Sequence, residues 1–308
     1  MEDQSYNGSV WNKQAYALLQ NFGWRRIGDY DMDVTGHDHK DVGIDTIVSF
    51  ETPLKTKPQL AILESKRYLT TSFSQSNLID WIKRLDTKIN KLKNSAEFQE
   101  KFPIVTECTT LDTGIIALWF YDVMKFQEYY PTLQNYLSQI TLTSRSTRKA
   151  GLSKIYFLAN DRLMRLFALD EVLRELTADG EKEVVFVYSP HFISWNCIQR
   201  SKVLTIESLF SDIIFAEIRD VNDKSNVETL IFYFGSKDIK SFEFVKRAFA
   251  STVQWEKSHP VVLYVYGADD DFRKIKPDVT GRIFEGFNIR ICHMSENYQL
   301  PGKYQNID

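Results

Sequence analysis

The longest apolar run in the chain covers Gly114–Tyr121 and reads Gly-Ile-Ile-Ala-Leu-Trp-Phe-Tyr. A strand with one face in water alternates apolar and polar residues, and this run does not, so we predict a strand that is buried on both faces. The run is far shorter than the roughly 20 apolar residues that a membrane-spanning helix needs. Residues Met1–Val10 are polar and acidic and lack the pattern of a signal peptide. We therefore expect a soluble, cytoplasmic protein that does not act at a membrane.

The first half of the chain alternates helical and extended patterns. Apolar residues recur every three or four positions over Val10–Phe22 and again within Ser76–Lys101, which predicts two helices. Short runs rich in Ile and Val, and a short stretch after Gly23, predict strands between and after these helices. The polar stretch Gly28–Asp41 is expected to be a loop. The predicted strands of this half are Trp24–Ile27, Ile44–Phe50, Leu60–Tyr68 and Gly114–Tyr121.

A polar, basic stretch near the middle of the chain predicts a domain boundary. Thr141–Ala150 contains no large apolar residue except Leu142, and a length of 308 residues suggests about two domains. We predict domains at 1–145 and 146–308. The second also alternates strand and helix patterns, which predicts an α/β domain with a mixed or parallel sheet. Its predicted strands are Lys154–Ala159, Val184–Tyr188, Asp212–Ile218, Thr229–Phe234, Val261–Tyr266 and Asn288–Cys292, and its helices Leu163–Leu176 and Phe242–Trp255.

Composition excludes several classes of protein. Lys and Arg number 38 against 41 Asp and Glu, so the chain is not a uniformly basic nucleic-acid coat protein, although a local basic face remains compatible with this balance. Hydrophobic residues make up 43%, which excludes wholesale disorder. The three cysteines form no C-x-x-C pair, so neither a zinc ribbon nor a thioredoxin-type dithiol is indicated.

The residues with the clearest chemistry lie at the ends of two adjacent predicted strands. Asp45 follows Gly43-Ile44, and Glu64-Ser65-Lys66 follows the apolar run Ala61–Leu63. Because side chains alternate along a strand, Glu64 and Lys66 share one face. If the two strands pair as a hairpin, Asp45 approaches Glu64, and two carboxylates at one point form a site of the kind that Mg²⁺ prefers. A lysine beside such a site can orient water and stabilise developing negative charge.

This pattern resembles the PD-(D/E)XK nuclease superfamily, also called the restriction-endonuclease-like fold. The resemblance is carried by Gly43-Ile44-Asp45, Glu64-Ser65-Lys66 and the leading helix with Gly23-Trp24, and it covers roughly residues 8–125. It implies an αβββαβ core, a Mg²⁺ cofactor that Mn²⁺ can replace, and catalytic roles for Asp45, Glu64 and Lys66. By the same resemblance, Asp45, Glu64 and the backbone carbonyl of Ser65 would hold the metal, and Lys66 would position the attacking water.

The chain departs from the family pattern in its first helix. Many members with a Gly-Ile-Asp motif carry a glutamate there, whereas this chain has Asn12, with Gln14 close by. A neutral amide binds cations more weakly than a carboxylate does. The sequence therefore supports a second cation, and full activity, less strongly than it supports the first cation. Asp41, four residues before Asp45, could support the metal site as a neighbouring acid.

Basic residues follow the Glu64-Ser65-Lys66 segment. They are Arg67 and, on the predicted long helix, Lys83, Arg84, Lys88 and Lys91. One interpretation is phosphate contact beside the catalytic strand, which would make them DNA-binding residues. The other is a solvated helix face.

The sequence therefore predicts a metal-dependent DNA endonuclease acting in bacterial restriction, repair or antiviral defence. The second domain would recognise substrate or dock a partner subunit that gates cleavage, and a homo-oligomer is also compatible. Three alternatives stay open at this stage. Glu64 and Lys66 could form an ordinary exposed strand face, the fold could be a catalytically inactive binding or assembly module, or the substrate could be RNA.

Overall fold

The computed structural model describes residues 7–53, 55–140, 153–188, 199–223, 225–252, 259–296 and 299–305. They fall into two compact units, the first from residues up to 51, 55–163 and the C-terminal end, and the second from 164–296 with 52–53. The predicted boundary at Thr141–Ala150 lies outside the described residues, so the division at 145/146 stays a prediction. The α/β fold class predicted for both halves is confirmed.

The first unit begins with helix α1 and a run of short strands. In chain order its elements are α1 (Asn7–Asn21), β1 (Arg25–Ile27), β2 (Met32–Thr35), β3 (Asp41–Ile44), β4 (Thr46–Phe50), β5 (Gln59–Tyr68), α2 (Gln75–Lys93), α3 (Ala96–Lys101), β6 (Thr113–Phe120), α4 (Val123–Ser138) and β7 (Lys154–Leu158). Five of these strands form one sheet in the order β1-β4-β5-β6-β7. Strand β4 runs antiparallel to β1 and β5, whereas β5, β6 and β7 are parallel.

Strand β6 is buried along its whole length, as the unbroken apolar run predicts. On one face Gly114 lies so close to α2 that an added Cβ would stand 2.7 Å from Leu85 Cδ2. On the side of α1, Trp11 lies against Trp119 with ring centroids 6.1 Å apart, and Trp11 Nε1 donates to the Ala117 carbonyl at 3.1 Å. Helices therefore cover both faces of the sheet, with β5 and β6 between them.

The structure corrects the first half in three places. The expected loop Gly28–Asp41 contains β2, which pairs with β3 through Met32↔Ile44 and Val34↔Val42 and buries Val34 and Val42 beneath polar neighbours. Helix α4 has no predicted counterpart, since aromatic residues and Pro131 break its apolar periodicity. The long helix within Ser76–Lys101 is two helices, because α2 ends at Lys93 with Asn94 as its C-cap, and Ser95 then caps α3 by accepting from the Phe98 N–H.

Strand β7, predicted as the opening strand of the second domain, extends the first sheet. It pairs in parallel with β6 from Thr113↔Lys154 to Ala117↔Leu158. Beyond the last pair of this register, the side chain of Asn160 makes the hydrogen bonds to β6 that a strand backbone would otherwise make. Its Oδ1 accepts from the Phe120 N–H and its Nδ2 donates to the Phe120 carbonyl, both at 2.7 Å, at a fully buried position.

The second unit contains a six-stranded mixed sheet in the order β13-β12-β11-β10-β8-β9. The remaining strands and α-helices are α5 (Asn160–Leu176), β8 (Lys182–Tyr188), β9 (Gln199–Ser201), α6 (Ile206–Leu209), β10 (Ile213–Asp220), β11 (Val227–Tyr233), α7 (Ile239–Thr252), β12 (Pro260–Tyr266), α8 (Asp270–Asp278), β13 (Asn288–Met294) and α9 (Gly302–Gln305). Helix α5 begins in the first unit, and α9 lies in the first unit. Strands β11 to β13 are parallel, and β8 to β11 are antiparallel. None of the described helices is long and apolar enough to cross a bilayer.

A buried glutamate on β10 is neutralised by two arginines. Glu217 accepts from Arg200 Nε and Nη2, both at 2.8 Å, and from Arg219 Nε at 3.1 Å. Burial raises the pKa of Glu217, but the two guanidinium groups outweigh burial and hold the pKa below its ordinary value of 4.5. The ionised form of Glu217 therefore stabilises the second unit.

Replacing Asn160 tests the side chain that continues the first sheet. Asn160→Ala leaves the backbone N–H and carbonyl of Phe120 without their partners in the core, and we expect the free energy of unfolding to fall by roughly 2–4 kcal/mol. Urea-induced unfolding followed by circular dichroism measures this. Asn135→Ala, at an exposed position of α4, is the control and should change it by less than about 0.5 kcal/mol. Equal effects of the two variants would contradict the assignment.

The Glu217 ion pairs predict a pH-dependent difference in stability. The folded-state pKa is lowered, so the stabilisation is complete above pH 4.5 and is lost as pH falls through the folded-state pKa. We expect Glu217→Gln to lower the free energy of unfolding by about 2 kcal/mol at neutral pH and by progressively less below pH 4.5. Urea titrations at a series of pH values measure it, with the exposed Glu243→Gln as control. A difference that does not depend on pH would refute the role of charge.

Candidate active site

Asp45 lies in a bend between β3 and β4, where the chain passes from a small hairpin into the main sheet. The antiparallel register Thr46↔Leu63 places Asp45 next to Glu64 at the end of the β4–β5 pairing. The Ser65 N–H donates to Asp45 Oδ2 at 3.1 Å, so the carboxylate of Asp45 takes the place that the next strand residue would otherwise fill. The hairpin approach predicted for Asp45 is therefore what the structure shows.

Lys66 connects the two carboxylates. Its Nζ lies 3.3 Å from Glu64 Oε2 and 3.6 Å from Asp45 Oδ2. The side chains of Glu64, Lys66 and Asp45 are 6%, 14% and 20% exposed, so these charges are only weakly screened by water. Strand alternation places Glu64 and Lys66 on one face, as predicted from their spacing.

A second lysine contacts Glu64 from helix α2. Lys88 Nζ is hydrogen-bonded to Glu64 Oε1, whereas Lys66 Nζ lies 3.3 Å from the other carboxylate oxygen, Oε2. The amphipathic stripe of α2 buries Leu85, Ile89 and Leu92 against the sheet, and this packing directs Lys88 toward β5. Sequence reasoning assigned Lys88 to DNA binding and missed this ion pair. No local signal could have revealed it, because the partners are 24 positions apart.

The four charges shift the carboxyl pKa values in opposite directions. Burial and the neighbouring charge of Glu64 raise the pKa of Asp45, although Lys66 and the Ser65 N–H oppose the shift. Burial also acts to raise the pKa of Glu64, but Lys66 and Lys88 outweigh burial, and this pKa lies below its ordinary value. Glu64 is therefore the more strongly ionised of the two carboxyls, and Asp45 is the easier to protonate.

The oxygen donors at this point suit a small divalent cation. Within one strand residue the N–H and the carbonyl point to the same side, so the Ser65 carbonyl faces the side on which Asp45 accepts the Ser65 N–H. The described residues contain no group of three or more His, Cys, Asp or Glu side chains arranged to hold a metal. Two carboxylates and a carbonyl fit Mg²⁺, which usually takes one or two protein carboxylates and completes its shell with water and substrate phosphate.

The predicted supporting residues lie in different places. Asn12 is buried and its Nδ2 donates to Asp31 Oδ1 at 2.6 Å, while the Asp31 N–H donates to the Asp45 carbonyl at 3.0 Å. Asn12 is thus linked to Asp45 through Asp31, a residue that sequence reasoning overlooked. Gln14 is buried, and its Oε1 has no hydrogen-bond partner among the described residues. Asp41 is exposed and accepts a hydrogen bond from Thr35 at 3.3 Å.

A groove of about 350 Å³ lies between α2 and β3, and we call it the basic groove. Its lining residues are Asp41, Val42, Gly43, Lys83, Arg84, Thr87, Lys88 and Lys91. Lys91 is paired with Asp38 at 3.0 Å, whereas Lys83 and Arg84 are exposed and have no ion-pair partner in the described part of the chain. Four of the five predicted DNA-binding residues therefore share one groove. The fifth, Arg67, lies elsewhere, 5.5 Å from the centre of the Tyr121 ring.

Comparison with known proteins identifies a family that matches the first half of the chain. A family model described as the GAPS4 protein PD-(D/E)XK nuclease domain matches residues 1–162, more than half of the 308-residue chain. A comparison with curated proteins finds no match. Among solved structures, one described as "Crystal structure of Aa-Ago with externally-bound siRNA" aligns at 14% identity and a TM-score of 0.19, which is too low to support an argument. That alignment covers 87% of this chain and 40% of the other.

The family match includes Asp45, Glu64, Lys66 and Lys88, which we call the charge cluster. It also includes all the strands of the first sheet. It agrees with the resemblance that the Gly-Ile-Asp and Glu-Ser-Lys segments indicate. The chain belongs to the family of GAPS4 protein PD-(D/E)XK nuclease domains.

Proposed function

We propose that this chain is a Mg²⁺-dependent DNA endonuclease that hydrolyses phosphodiester bonds, with Mn²⁺ as an alternative cofactor. The observation that carries the proposal is the convergence of Asp45, Glu64 and the Ser65 backbone with Lys66 in one weakly hydrated cluster. The surrounding sheet holds these groups rigidly, because β5 pairs with both β4 and β6.

The residues divide the chemistry between them. Asp45, Glu64 and the Ser65 carbonyl would hold the cation, which when bound supplies positive charge to the phosphate and promotes ionisation of water. Lys66 directs its ammonium group at the same point and can orient the attacking water and stabilise the negative charge that develops on the phosphoryl oxygens. Asn12 and Asp31 hold the backbone of Asp45, so their contribution is to its position. Asp41 borders the basic groove and would adjust the charge there.

The basic groove supports a nucleic-acid substrate. Lys83 and Arg84 offer exposed charges, and Lys88 connects the groove to Glu64. Phosphate contacts of this kind give affinity without sequence specificity. DNA is proposed over RNA from the superfamily resemblance, and we propose that Arg67, on the other side of β5, contributes a further phosphate contact.

The biological setting is also a proposal. The superfamily resemblance favours bacterial restriction, repair or antiviral defence in the cytoplasm. A nuclease without control endangers its host, so a partner subunit or a second copy of the chain would gate cleavage. The second unit is proposed to recognise substrate or to dock that partner.

Conservative substitutions of the cluster test the catalytic assignment. We expect Asp45→Asn, Glu64→Gln and Lys66→Met each to lower the rate of plasmid cleavage in Mg²⁺ or Mn²⁺ by roughly 100-fold or more, since each removes a charge that acts at the reacting phosphate. Gel analysis of supercoiled and linear DNA measures the rate. Chelation of the metal should abolish cleavage by the unaltered protein.

Glu97→Gln provides the matched control, because Glu97 is a carboxylate on α3 whose side chain is 55% exposed. The Glu97→Gln variant should cleave plasmid DNA at the same rate as the unaltered protein. Equal activity of all variants would refute the site. Cleavage of single-stranded RNA but not of DNA would shift the assignment to an RNA nuclease, and an inactive unaltered protein would favour a binding module.

Removing charge from the basic groove tests its role in binding. We expect the double variant Lys83→Ala/Arg84→Ala to bind duplex DNA more weakly and to lower the slope of log affinity against log salt by about 1 for each phosphate that it no longer neutralises. Fluorescence anisotropy with EDTA present measures affinity without cleavage. Lys55→Ala/Lys57→Ala removes two exposed charges ahead of β5 and should leave the slope unchanged. A slope that does not differ between the double variants would exclude the basic groove as the binding surface.

A further inference from the structure

Lys88 belongs to two sites at once. Its Nζ is hydrogen-bonded to Glu64 Oε1, and its side chain also lines the basic groove together with Lys83 and Arg84. The Lys88 side chain is 21% exposed, so it is partly open to the groove while its ammonium group contacts Glu64. A lysine stem is flexible, and its ammonium group can exchange one anionic partner for another nearby.

The charge balance of the cluster gives this dual position a consequence. When both carboxyls are ionised, Asp45 and Glu64 carry two negative charges, and Lys66 and Lys88 carry two positive charges close beside them. A divalent cation added to this balanced cluster is repelled by both ammonium groups. Because Glu64 is only 6% exposed, water screens that repulsion poorly.

Of the two lysines, Lys88 is the one that can leave. Lys66 is carried by the same strand as Glu64 and contacts both carboxylates, whereas Lys88 reaches Glu64 from a separate helix and has a groove beside it. A phosphate in the basic groove offers the Lys88 ammonium group an alternative anionic partner. Its departure releases Glu64 Oε1 and removes one positive charge from the cluster.

We propose that Lys88 couples binding of the divalent cation to binding of nucleic-acid phosphate, so that the cation binds tightly only when phosphate occupies the basic groove. Lys88 is a positioning residue in this scheme, since it acts through Glu64. The proposal rests on the function proposed above and specifies how its site is regulated. Coupling of this kind is reciprocal, so the cation must strengthen phosphate binding by the same factor.

Mn²⁺ titrations of the full chain without nucleic acid test the first half of the proposal, with free Mn²⁺ followed by electron paramagnetic resonance. We expect Lys88→Met to bind Mn²⁺ about tenfold more tightly than the unaltered chain, within the range known for coupled sites. Methionine keeps the unbranched shape of the lysine stem without its charge, and it favours a helix. Lys57→Met removes one charge from an exposed position ahead of β5 and should change the affinity less than twofold. Lys88→Gln repeats the test with a polar side chain.

The second half is tested in a background that does not cut DNA. In Lys66→Met we expect a 12-base-pair duplex to raise Mn²⁺ affinity at least fivefold, after subtraction of Mn²⁺ bound by the duplex alone. In Lys66→Met/Lys88→Met the increase should fall below twofold. An equal increase in both backgrounds would overturn the coupling.

Glu64→Gln distinguishes failure of the proposed cation site from failure of the coupling through Lys88. If the unaltered chain binds Mn²⁺ and Glu64→Gln does not, the proposed cation site stands. Equal Mn²⁺ affinities of Lys88→Met, Lys88→Gln and Lys57→Met would then reject the coupling role of Lys88 and leave the cation site in place. If neither the unaltered chain nor any variant binds Mn²⁺, or Glu64→Gln binds it normally, the proposed cation site fails and the coupling fails with it.

Discussion

A buried carboxylate, Glu64, and a half-buried one, Asp45, at the end of the β4–β5 pairing are the constraint on which the first unit depends. Glu64 and Asp45 would repel each other and lose hydration if they were left alone. Lys66, Lys88 and the Ser65 N–H compensate them, and each compensating group comes from an element fixed by core packing. Because buried ion pairs contribute little net stability, the cluster is explained better by the cation-binding role proposed for it than by a gain in stability.

Strand β5 contributes residues both to the hydrophobic core and to the candidate site. After the buried Gln59, its residues Leu60–Leu63 are apolar and buried between α1 and α2, while its last residues extend past Thr46, the first residue of β4. Just before β4 begins, the Ser65 N–H donates to the Asp45 carboxylate instead of to a neighbouring strand. The site thus arises from a mismatch in strand length, and the fully buried β6 on the other side keeps β5 in place.

Much of this arrangement could be predicted from sequence. The unbroken apolar run identified β6, and strand alternation placed Glu64 and Lys66 together near Asp45. Three features near the candidate site could not be foreseen. The β2–β3 hairpin has strands of four residues with polar neighbours, too short for a periodic signal. The contact of Lys88 with Glu64 depends on how α2 lies on the sheet, and the contact of Asn12 with Asp31 depends on the turn before β2.

The central claim is that Asp45, Glu64 and the Ser65 carbonyl hold a divalent cation. Crystals grown with Mn²⁺ and a DNA duplex, with Lys66→Met to prevent cleavage, allow the cation to be located from its anomalous scattering. The account predicts one strong peak at about 2.0–2.3 Å from oxygens of Asp45 and Glu64 and from the Ser65 carbonyl, as for small divalent cations bound by oxygen. A map without a peak at this point, or with Mn²⁺ bound only elsewhere, would contradict it.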